Sequence, residues 1–425
     1  MAKISIIGAG SWGTALGLLL CNNGHDVTIC SENEKEIESL KEHREHLTKL
    51  PGVKLPDEMK FTCDVRGSLS GQDILVMAKA SPYVRTTCKK YAADIPDGQL
   101  IVNVAKGVEA DTLMTMSQII EEEVPGANVV VLSGPSHAEE VGRGLPTTIV
   151  VGAHDRESAL YVQNVFMSPV FRVYTSPDIT GIELGGALKN VIALAAGTAD
   201  GLGYGDNTKA ALITRGIAEI ARLGTAMGAH AETFYGLSGI GDLIVTCASV
   251  HSRNRKAGYL IGQGRTMQQA MDEVQMIVEG VYSAKAGLTL SKKFGIETPI
   301  IQAVNQVLFE NKNPKQAVDE LMQRMKKEHD AYWTSARKQQ AKAAGLTPDE
   351  AYTLASIVEQ ESANEGERPM IAGMYLNRLH QGMKLQADPT VKYALHDFAL
   401  RRIMINHLSV NSPYNTYRNV GLPIG

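Results

Sequence analysis

The amino-acid sequence predicts an α/β fold, a doubly wound parallel sheet, followed by an all-helical domain and a shorter C-terminal segment. In the first half of the chain, apolar β-branched runs alternate with helical patterns, which is typical of a parallel sheet covered by helices. From about Asp178 the strand-like runs stop, and long stretches rich in Ala, Leu, Ile and Gly replace them. A glycine-rich turn directly after the first apolar run supports the same fold class.

The first strand is predicted over Lys3–Ile7, and Gly8, Gly10 and Gly13 follow it in the spacing G-x-G-x-x-G. The first glycine permits a tight turn, and the second leaves room for a pyrophosphate beside the backbone. The third lets the next helix pack closely on the sheet. This combination predicts a Rossmann-type domain that binds a dinucleotide, with its phosphates at a helix N-terminus.

The remaining elements of the first half follow from runs of the same kind. They are a helix over 14–20 and strands over 25–30, 73–78, 100–104, 129–132, 147–151 and 171–174. In the second region, residues 182–202 are apolar nearly all round, which predicts a helix buried in a core or in a dimer interface. The helical pattern continues to about Lys327.

The third region begins near Glu328 and contains two predicted helices. Thr347 and Pro348 have the residue types of an N-cap and a first helical position, and a further helix is predicted over 370–379. We expect four parts in all. They are a nucleotide-binding domain over 1–177, a helical substrate and dimerisation domain over 178–328, a linker over 329–340 and a truncated α+β segment over 341–425.

Composition excludes several classes of protein. With 425 residues, 44% hydrophobic and 21% charged, the chain has the composition of an ordinary globular protein. A net charge of −4 argues against a broad nucleic-acid-binding surface. We find no apolar run long enough to span a bilayer and no cluster with metal-ligand spacing. Five cysteines without a C-x-x-C pair predict reduced thiols, and the early glycine turn leaves no room for an export signal. We therefore expect a cytoplasmic protein.

Lys189 is the strongest candidate for a catalytic residue, because it lies inside an otherwise apolar helix. A lysine is costly to bury unless it is paired, and desolvation or a nearby cation lowers its pKa toward the range of a proton donor or acceptor. Arg253 suits bidentate phosphate contact, and Asn254 can donate to a hydroxyl or phosphate oxygen. The alternatives are a Lys189 that reaches the surface, a Lys106 in a solvated loop and an ordinary charged helix face around Arg253.

The runs G-A-G-S-W-G, V-A-K-G, S-G-P-S, G-A-L-K-N, G-D-L-x-x-T-C and S-R-N-R-K together resemble the bacterial NAD(P)-dependent glycerol-3-phosphate dehydrogenase family over about residues 1–328. The resemblance implies reversible hydride transfer between NAD(P)H and dihydroxyacetone phosphate, which supplies sn-glycerol 3-phosphate for phospholipid synthesis. It implies a homodimer and no metal, with Lys189 as proton donor or acceptor. The implied substrate-binding residues are Lys106, Gly134, Ser136, Asp242, Ser252, Arg253 and Asn254. The candidate cofactor-binding residues, which include the three glycines of the turn, are Gly8, Gly10, Ser11, Trp12, Gly13, Glu32, Lys106, Ala138, Arg253, Ile277 and Glu279.

Two positions depart from the pattern of that family. Glu32 follows the second strand, where the family often has a basic residue, and a carboxylate near the ribose favours NAD over NADP. Lys35 could partly compensate, so the expected preference for NAD is slight. Lys79 lies where the family usually has an uncharged loop, and the sequence predicts no role for it.

Residues from about Tyr332 onward resemble the catalytic domain of bacterial endolytic murein transglycosylases. The matching runs are L-A-S-I-V-E-Q-E, G-E-R-P, N-R-L, L-Q-A-D-P-T and Y-N-T-Y. The resemblance implies Glu361 as the acid that protonates the glycosidic oxygen, with Glu359 a weaker candidate. From the residues alone, an acidic helix end is the favoured interpretation of both.

We expect this segment to lack murein-cleaving activity, because murein lies outside the cytoplasmic membrane. A genuine fusion, a remnant and a join of two genes all remain open. Two hypotheses remain open for the chain as a whole: a non-enzymatic nucleotide sensor with an interaction tail, and a related Rossmann enzyme that acts on another keto compound.

Overall fold

The computed structural model describes residues 1–362, 364–395, 400 and 402–423. The chain divides into two compact units, unit 1 over Met1–Leu321 and unit 2 over Met322–Gly425. Within the described residues, strands occur only in unit 1. The expected domain boundaries at residues 177, 328 and 340 stay predictions.

The strands of unit 1 lie between Lys3 and Ser176 and consist mostly of buried apolar residues. The strands are β1 Lys3–Ile7, β2 Asp26–Cys30, β3 Glu45–His46, β4 Leu50–Lys54, β5 Lys60–Thr62, β6 Ile74–Met77, β7 Leu100–Asn103, β8 Asn128–Ser133, β9 Thr147–Ala153 and β10 Phe171–Ser176. Every strand predicted from the sequence is present, and each end lies within two residues of its predicted position. The short strands β3, β4 and β5 were not predicted, because none has an uninterrupted apolar or alternating run.

Helices cover the sheet and form the second half of unit 1. They are α1 Ser11–Asn22, α2 Glu34–His43, α3 Val84–Tyr91, α4 Met116–Glu123, α5 Ala138–Gly142, α6 Arg156–Phe166, α7 Ile179–Gly201, α8 Asp206–Ala226, α9 Ala231–Phe234, α10 Asp242–Ala248, α11 Arg253–Gly262, α12 Met267–Val274, α13 Glu279–Phe294, α14 Pro299–Phe309 and α15 Pro314–Tyr332. The boundary between the two units falls within α15. The predicted helices over 14–20 and 182–202 are confirmed as parts of α1 and, except for residue 202, of α7.

The predicted doubly wound sheet is confirmed, but it is not parallel throughout. Its order is β10-β9-β8-β7-β6-β1-β2-β5, and the strands from β8 to β5 are parallel, while β9 runs antiparallel to β8. The only helix between β8 and β9 is α5, which spans about 7.5 Å and is too short to return the chain along a six-residue strand of about 20 Å. The strand order reverses at β1 and β6, and a ligand crevice is expected at this point.

Helix α7 is the centre of the helical half. It packs against α8, α10, α11 and α13. It is also long and apolar enough to cross a membrane, so the expectation that the chain has no such run is wrong. However, 89% of its most apolar window is buried inside the protein, as in a core helix. A Cβ on Gly197 would lie 2.0 Å from the carbonyl oxygen of Arg255, and one on Gly258 would lie 2.1 Å from that of Leu194. Glycine therefore allows α7 and α11 to cross in close contact.

Unit 2 is helical over its described residues. Its helices are α16 Ser335–Ala343, α17 Pro348–Glu361, α18 Arg368–His380 and α19 Asp388–Leu395. The predicted start of α17 is confirmed, since Thr347 caps it, Pro348 is its first residue and Glu350 completes a capping box. The expected α+β composition is wrong for the described residues, which contain helices and turns. The expected linker over 329–340 is mostly helical, since the end of α15 and the start of α16 lie within it.

Candidate active site

A cavity of about 510 Å³ opens at the carboxyl ends of β1, β2 and β6. The candidate residues that line it are Gly8, Gly10, Ser11, Trp12, Gly13, Lys106, Ser136, Ala138, Lys189, Ser252, Arg253, Asn254, Ile277 and Glu279. Gly134 and Asp242 lie behind this wall, where both accept hydrogen bonds from Lys106. Glu32 is the one candidate of unit 1 that neither lines the cavity nor contacts these groups.

The glycine turn has the shape that a dinucleotide requires. Gly8 has a φ of +127°, and a Cβ there would lie 2.5 Å from the carbonyl oxygen of Ala78. A Cβ on Gly13 would lie 2.2 Å from the carbonyl oxygen of Gly8, whereas one on Gly10 would meet no atom within 4 Å. The backbone at Gly10 is therefore open, and the first turn of α1 offers unpaired N–H groups beside it. These residues fit the pyrophosphate of NAD(P).

Two lysines share one buried carboxylate at the cavity wall. Lys189 Nζ donates to Asp242 Oδ1 and, at 2.8 Å, to Thr246 Oγ1. Lys106 Nζ donates at 2.8 Å to Asp242 Oδ2 and at 2.9 Å to the carbonyl oxygen of Gly134. Lys189 is 6% exposed and Asp242 is 1% exposed, so water does little to solvate these charges. The mutual pairing is what makes their burial tolerable.

This network sets the protonation state of Lys189. Burial lowers the pKa of Lys189 to about 8, against the opposing attraction of Asp242 and with help from the repulsion of Lys106. Burial raises the pKa of Asp242, but Lys106 and Lys189 outweigh that effect and leave it below its usual range. Asp242 is therefore an anion at neutral pH, and Lys189 can give or take a proton near that pH.

A second network holds the start of α11 against α7 and α13. Asn254 Nδ2 donates to Asn190 Oδ1 at 2.9 Å, and Asn254 Oδ1 accepts from the backbone N–H of Gly280 at 2.8 Å. Ser252 caps α11 by accepting from the backbone N–H of Arg255 at 3.2 Å. Arg253 follows this cap and lines the cavity. The start of α11 thus carries three candidate residues, and two of them also fix its position.

Glu183 is a buried residue near the site that the sequence alone did not identify. It lies on α7, and its carboxylate accepts from the backbone N–H of Ser117 at 2.9 Å, from Ser117 Oγ at 2.5 Å and from Asn103 Nδ2 at 3.3 Å. Asn103 in turn accepts from the backbone N–H of Ala105, in the turn that precedes Lys106. Glu183 therefore connects the helix of Lys189 to the loop of Lys106. The available signal was an acidic residue in an otherwise apolar helix.

The cavity wall beside β2 differs from the wall that the sequence predicted. Glu32 accepts from Tyr91 Oη at 2.5 Å and from Lys90 Nζ at 2.8 Å, and Lys35 is exposed outside the wall. The side chains that line this part include Glu36 and Lys49, which form an ion pair. No group of three or more His, Cys, Asp or Glu residues able to hold a metal occurs among the described residues.

The fold and the site define a class: dinucleotide-dependent oxidoreductases in which a Rossmann-type half forms the nucleotide cavity and a helical half supplies a buried lysine. A family model described as NAD-dependent glycerol-3-phosphate dehydrogenase N-terminus matches residues 3–159, and the corresponding C-terminus model matches residues 178–319. The chain belongs to the NAD-dependent glycerol-3-phosphate dehydrogenase family, and it is an NAD(P)-dependent oxidoreductase.

Individual relatives agree with this assignment. The chain is 63% identical over 327 residues to a glycerol-3-phosphate dehydrogenase (NAD(P)+) of Agathobacter rectalis, covering 77% of this chain and 97% of that protein. It is 61% identical over 329 residues to one from Fusobacterium nucleatum, covering 77% and 98% respectively. A crystal structure of the Coxiella burnetii enzyme superposes with a TM-score of 0.73 at 34% identity, covering 76% of this chain and 98% of that one. The family models end at residue 319, so the murein transglycosylase resemblance of unit 2 stays a prediction.

Proposed function

We propose that unit 1 reversibly reduces dihydroxyacetone phosphate to sn-glycerol 3-phosphate, with Lys189 as the proton donor and acceptor. The observation that carries this proposal is the buried Lys189–Asp242–Lys106 network in the wall of the cavity beside the glycine turn. NAD(P)H, when bound there, supplies the hydride that reaches the carbonyl carbon of the substrate.

Lys189 has the properties that the proton transfer needs in both directions. In reduction, its ammonium donates a proton to the developing alkoxide oxygen. In oxidation, its neutral amine accepts the proton of the substrate hydroxyl. A pKa of about 8 makes both forms accessible near neutral pH. Asp242 and Thr246 hold the Nζ atom in place, so little reorganisation accompanies the reaction.

The start of α11 is suited to the phosphate of the substrate. Arg253 and Asn254 lie in the first turn of this ten-residue helix, whose free N–H groups and dipole favour an anion. Lys106 supplies a further cation at the cavity wall. Gly134 and Ser136 support Lys106, since the carbonyl oxygen of Gly134 accepts from both the Lys106 ammonium and the Ser136 hydroxyl. The cofactor side is assigned to Ser11, Trp12, Ala138, Ile277 and Glu279.

The substrate assignment is tested by comparing three carbonyl compounds with the full chain. We expect kcat/KM for dihydroxyacetone phosphate to exceed that for dihydroxyacetone and for a 2-keto acid by at least about 100-fold, because Arg253 and Lys106 recognise the phosphate. The variant Arg253→Met should lose much of the preference over dihydroxyacetone, whereas Lys292→Met on the exposed side of α13 should keep it. A higher rate with the keto acid would show a related enzyme, and no turnover would favour a nucleotide sensor.

A second candidate activity belongs to unit 2, where Glu361 would act as a general acid on murein. Burial raises the pKa of Glu361 and Asp388 raises it further, although a hydrogen bond with Tyr375 opposes both effects. A raised pKa is what a carboxylic acid needs to donate a proton at neutral pH. Purified murein incubated with the full chain tests this candidate. Release of anhydro-muropeptides that Glu361→Gln abolishes would support it, and no release, the result expected from the sequence, would exclude it.

We also propose that the chain works in the cytoplasm as a homodimer, with the helical half of unit 1 as its dimerisation domain. The family resemblance supports the dimer, and the five cysteines, all free thiols, fit a reducing compartment. Light scattering during gel filtration should give twice the chain mass of 45.9 kDa. A monomer mass at micromolar concentration would contradict the dimer.

A further inference from the structure

The cations of the cavity differ in whether a carboxylate neutralises them. Lys106 and Lys189 share Asp242, and Lys49 is paired with Glu36. Lys79 also lines the cavity and is half-buried, but within the described part of the chain it forms no hydrogen bond or ion pair through its ammonium. A partly desolvated and unpaired lysine gains when an anion binds beside it.

Lys79 lies on the part of the cavity wall that borders the glycine turn after β1. It follows β6, and β6 and β2 lie on either side of β1 in the sheet. Its backbone nitrogen is 3.5 Å from the position that a Cβ of Gly8 would occupy, so the residue borders the glycine turn. In Rossmann-type domains the pyrophosphate lies over that turn, and the 2′ position of the adenosine ribose lies toward the end of the second strand.

The ammonium of Lys79 acts on groups at the end of β2. Lys90 and Tyr91 lower the pKa of Glu32 most strongly, and Lys79 lowers it further. Burial raises the pKa of the Cys30 thiol, and Lys79 is among the groups that oppose this shift. These effects place the positive charge of Lys79 toward the ribose side of the cavity. Arg253, another cation in the wall with no such partner among the residues that the structure describes, is instead on α11 at the proposed substrate side.

The carboxylates near the ribose side already have partners. Glu32 accepts from Lys90 and Tyr91, and Glu36 accepts from Lys49 and His46. The positive charge of Lys79 is therefore left available for a ligand, while the negative charge of Glu32 is largely compensated. This is the reverse of the balance that the position of Glu32 in the sequence predicts.

We propose that Lys79 binds the 2′-phosphate of NADP(H) and is the residue through which this site accepts the phosphorylated dinucleotide despite Glu32. The proposal rests on the proposed dinucleotide-dependent function and names one determinant of its cofactor specificity. Lys79 would thereby weaken the preference for NAD over NADP that Glu32 alone would produce.

Calorimetric titration of the full chain with 2′-phospho-ADP-ribose and with ADP-ribose tests the proposal without turnover. For Lys79→Met, which keeps the apolar stem, we expect the affinity for 2′-phospho-ADP-ribose to fall about 10-fold and that for ADP-ribose to change less than about 2-fold. Lys35→Met, at the exposed start of α2, is the matched control and should leave both affinities unchanged. In the steady state, Lys79→Met should lower kcat/KM for NADPH and not for NADH.

Three results would overturn the proposal, and they are distinguishable. An equal loss of affinity for both probes would place Lys79 on the pyrophosphate, and no loss for either would leave it facing solvent. Both results would leave the dehydrogenase function intact. If the wild-type chain binds neither probe, the dinucleotide function fails and the role of Lys79 fails with it.

Discussion

Units 1 and 2 each place an ionisable side chain on a helix, but they surround it differently. Lys189 lies in the middle of α7, which is buried on nearly every side, and two fixed charges, Asp242 and Lys106, accompany it beside a large cavity. Glu361 is the last residue of α17, which buries only Leu354, Ile357 and Val358. Both side chains have a shifted pKa. A shifted pKa therefore identifies a candidate site, whereas a cavity with paired charges defines its chemistry.

Substitution of Lys189 should cause the greatest loss of activity, and it separates the two side chains directly. Lys189→Met should reduce kcat for dihydroxyacetone phosphate reduction by about 10³-fold, because it removes the proton donor, while NADH still binds. Glu361→Gln should leave this kcat unchanged. The rates are measured by NADH absorbance, and cofactor binding is measured by calorimetry. A similar loss in both variants would break the distinction between the units.

A glycine-to-alanine substitution should have opposite effects on stability in a helix of unit 1 and in a helix of unit 2. Gly197→Ala in α7 should lower the free energy of unfolding by about 1–3 kcal/mol, since the new methyl group would meet the backbone of α11. Gly373→Ala in α18 should raise the stability of its helix by up to about 1 kcal/mol, because no atom lies within 4 Å of the new group. Thermal unfolding followed by circular dichroism measures both. Stabilisation by Gly197→Ala would show that α7 and α11 are less closely packed than described.

The pH dependence of unit 1 should have opposite signs in the two directions of the reaction. Reduction needs the protonated Lys189, so its kcat/KM should fall as the pH rises through about 8, approaching tenfold per pH unit. Oxidation needs the neutral amine, so its kcat/KM should rise with pH below about 8 and level off above it. Glu361→Gln should not move either profile. Profiles that share one sign would exclude Lys189 as the group that exchanges the proton.

Glu219 should make a small contribution to the pH dependence of the free energy of unfolding. Glu219 on α8 accepts from the backbone N–H groups of Ile300 and Ile301, and burial raises its pKa to about 7 from an ordinary 4.5. The folded state then binds the proton more tightly, so this contribution is complete below pH 4.5 and is lost as the pH rises through 7. Glu219→Gln should therefore lose less stability between pH 5 and pH 8 than the wild type, measured by urea unfolding. Glu359→Gln, at an exposed position of α17, is the control, and an equal slope in all three proteins would contradict the prediction.

Local patterns in the sequence were enough for seven of the eight strands of the doubly wound sheet, for the glycine turn and for singling out Lys189 as a candidate. Alternation of strands and helices, a glycine spacing and a charge in an apolar helix are all visible over a few residues. The same patterns could not show that β9 runs antiparallel to β8, because that depends on how far the short α5 carries the chain. They also passed over Glu183, whose importance comes from Ser117 and Asn103 on other elements.

Local residue patterns identified the side chains that could carry the chemistry and the turn that could hold a dinucleotide. Their partners emerge only from the folded chain: Lys189 meets Asp242 from 53 residues away, and Lys106 meets it from 136 residues away. The folded chain likewise turns Glu32 toward Lys90 and Tyr91, and it leaves Lys79 without an ion-pair partner in the described part of the chain. Pairing of this kind sets charge and pKa through burial and distance, which depend on long-range packing that no local periodicity encodes.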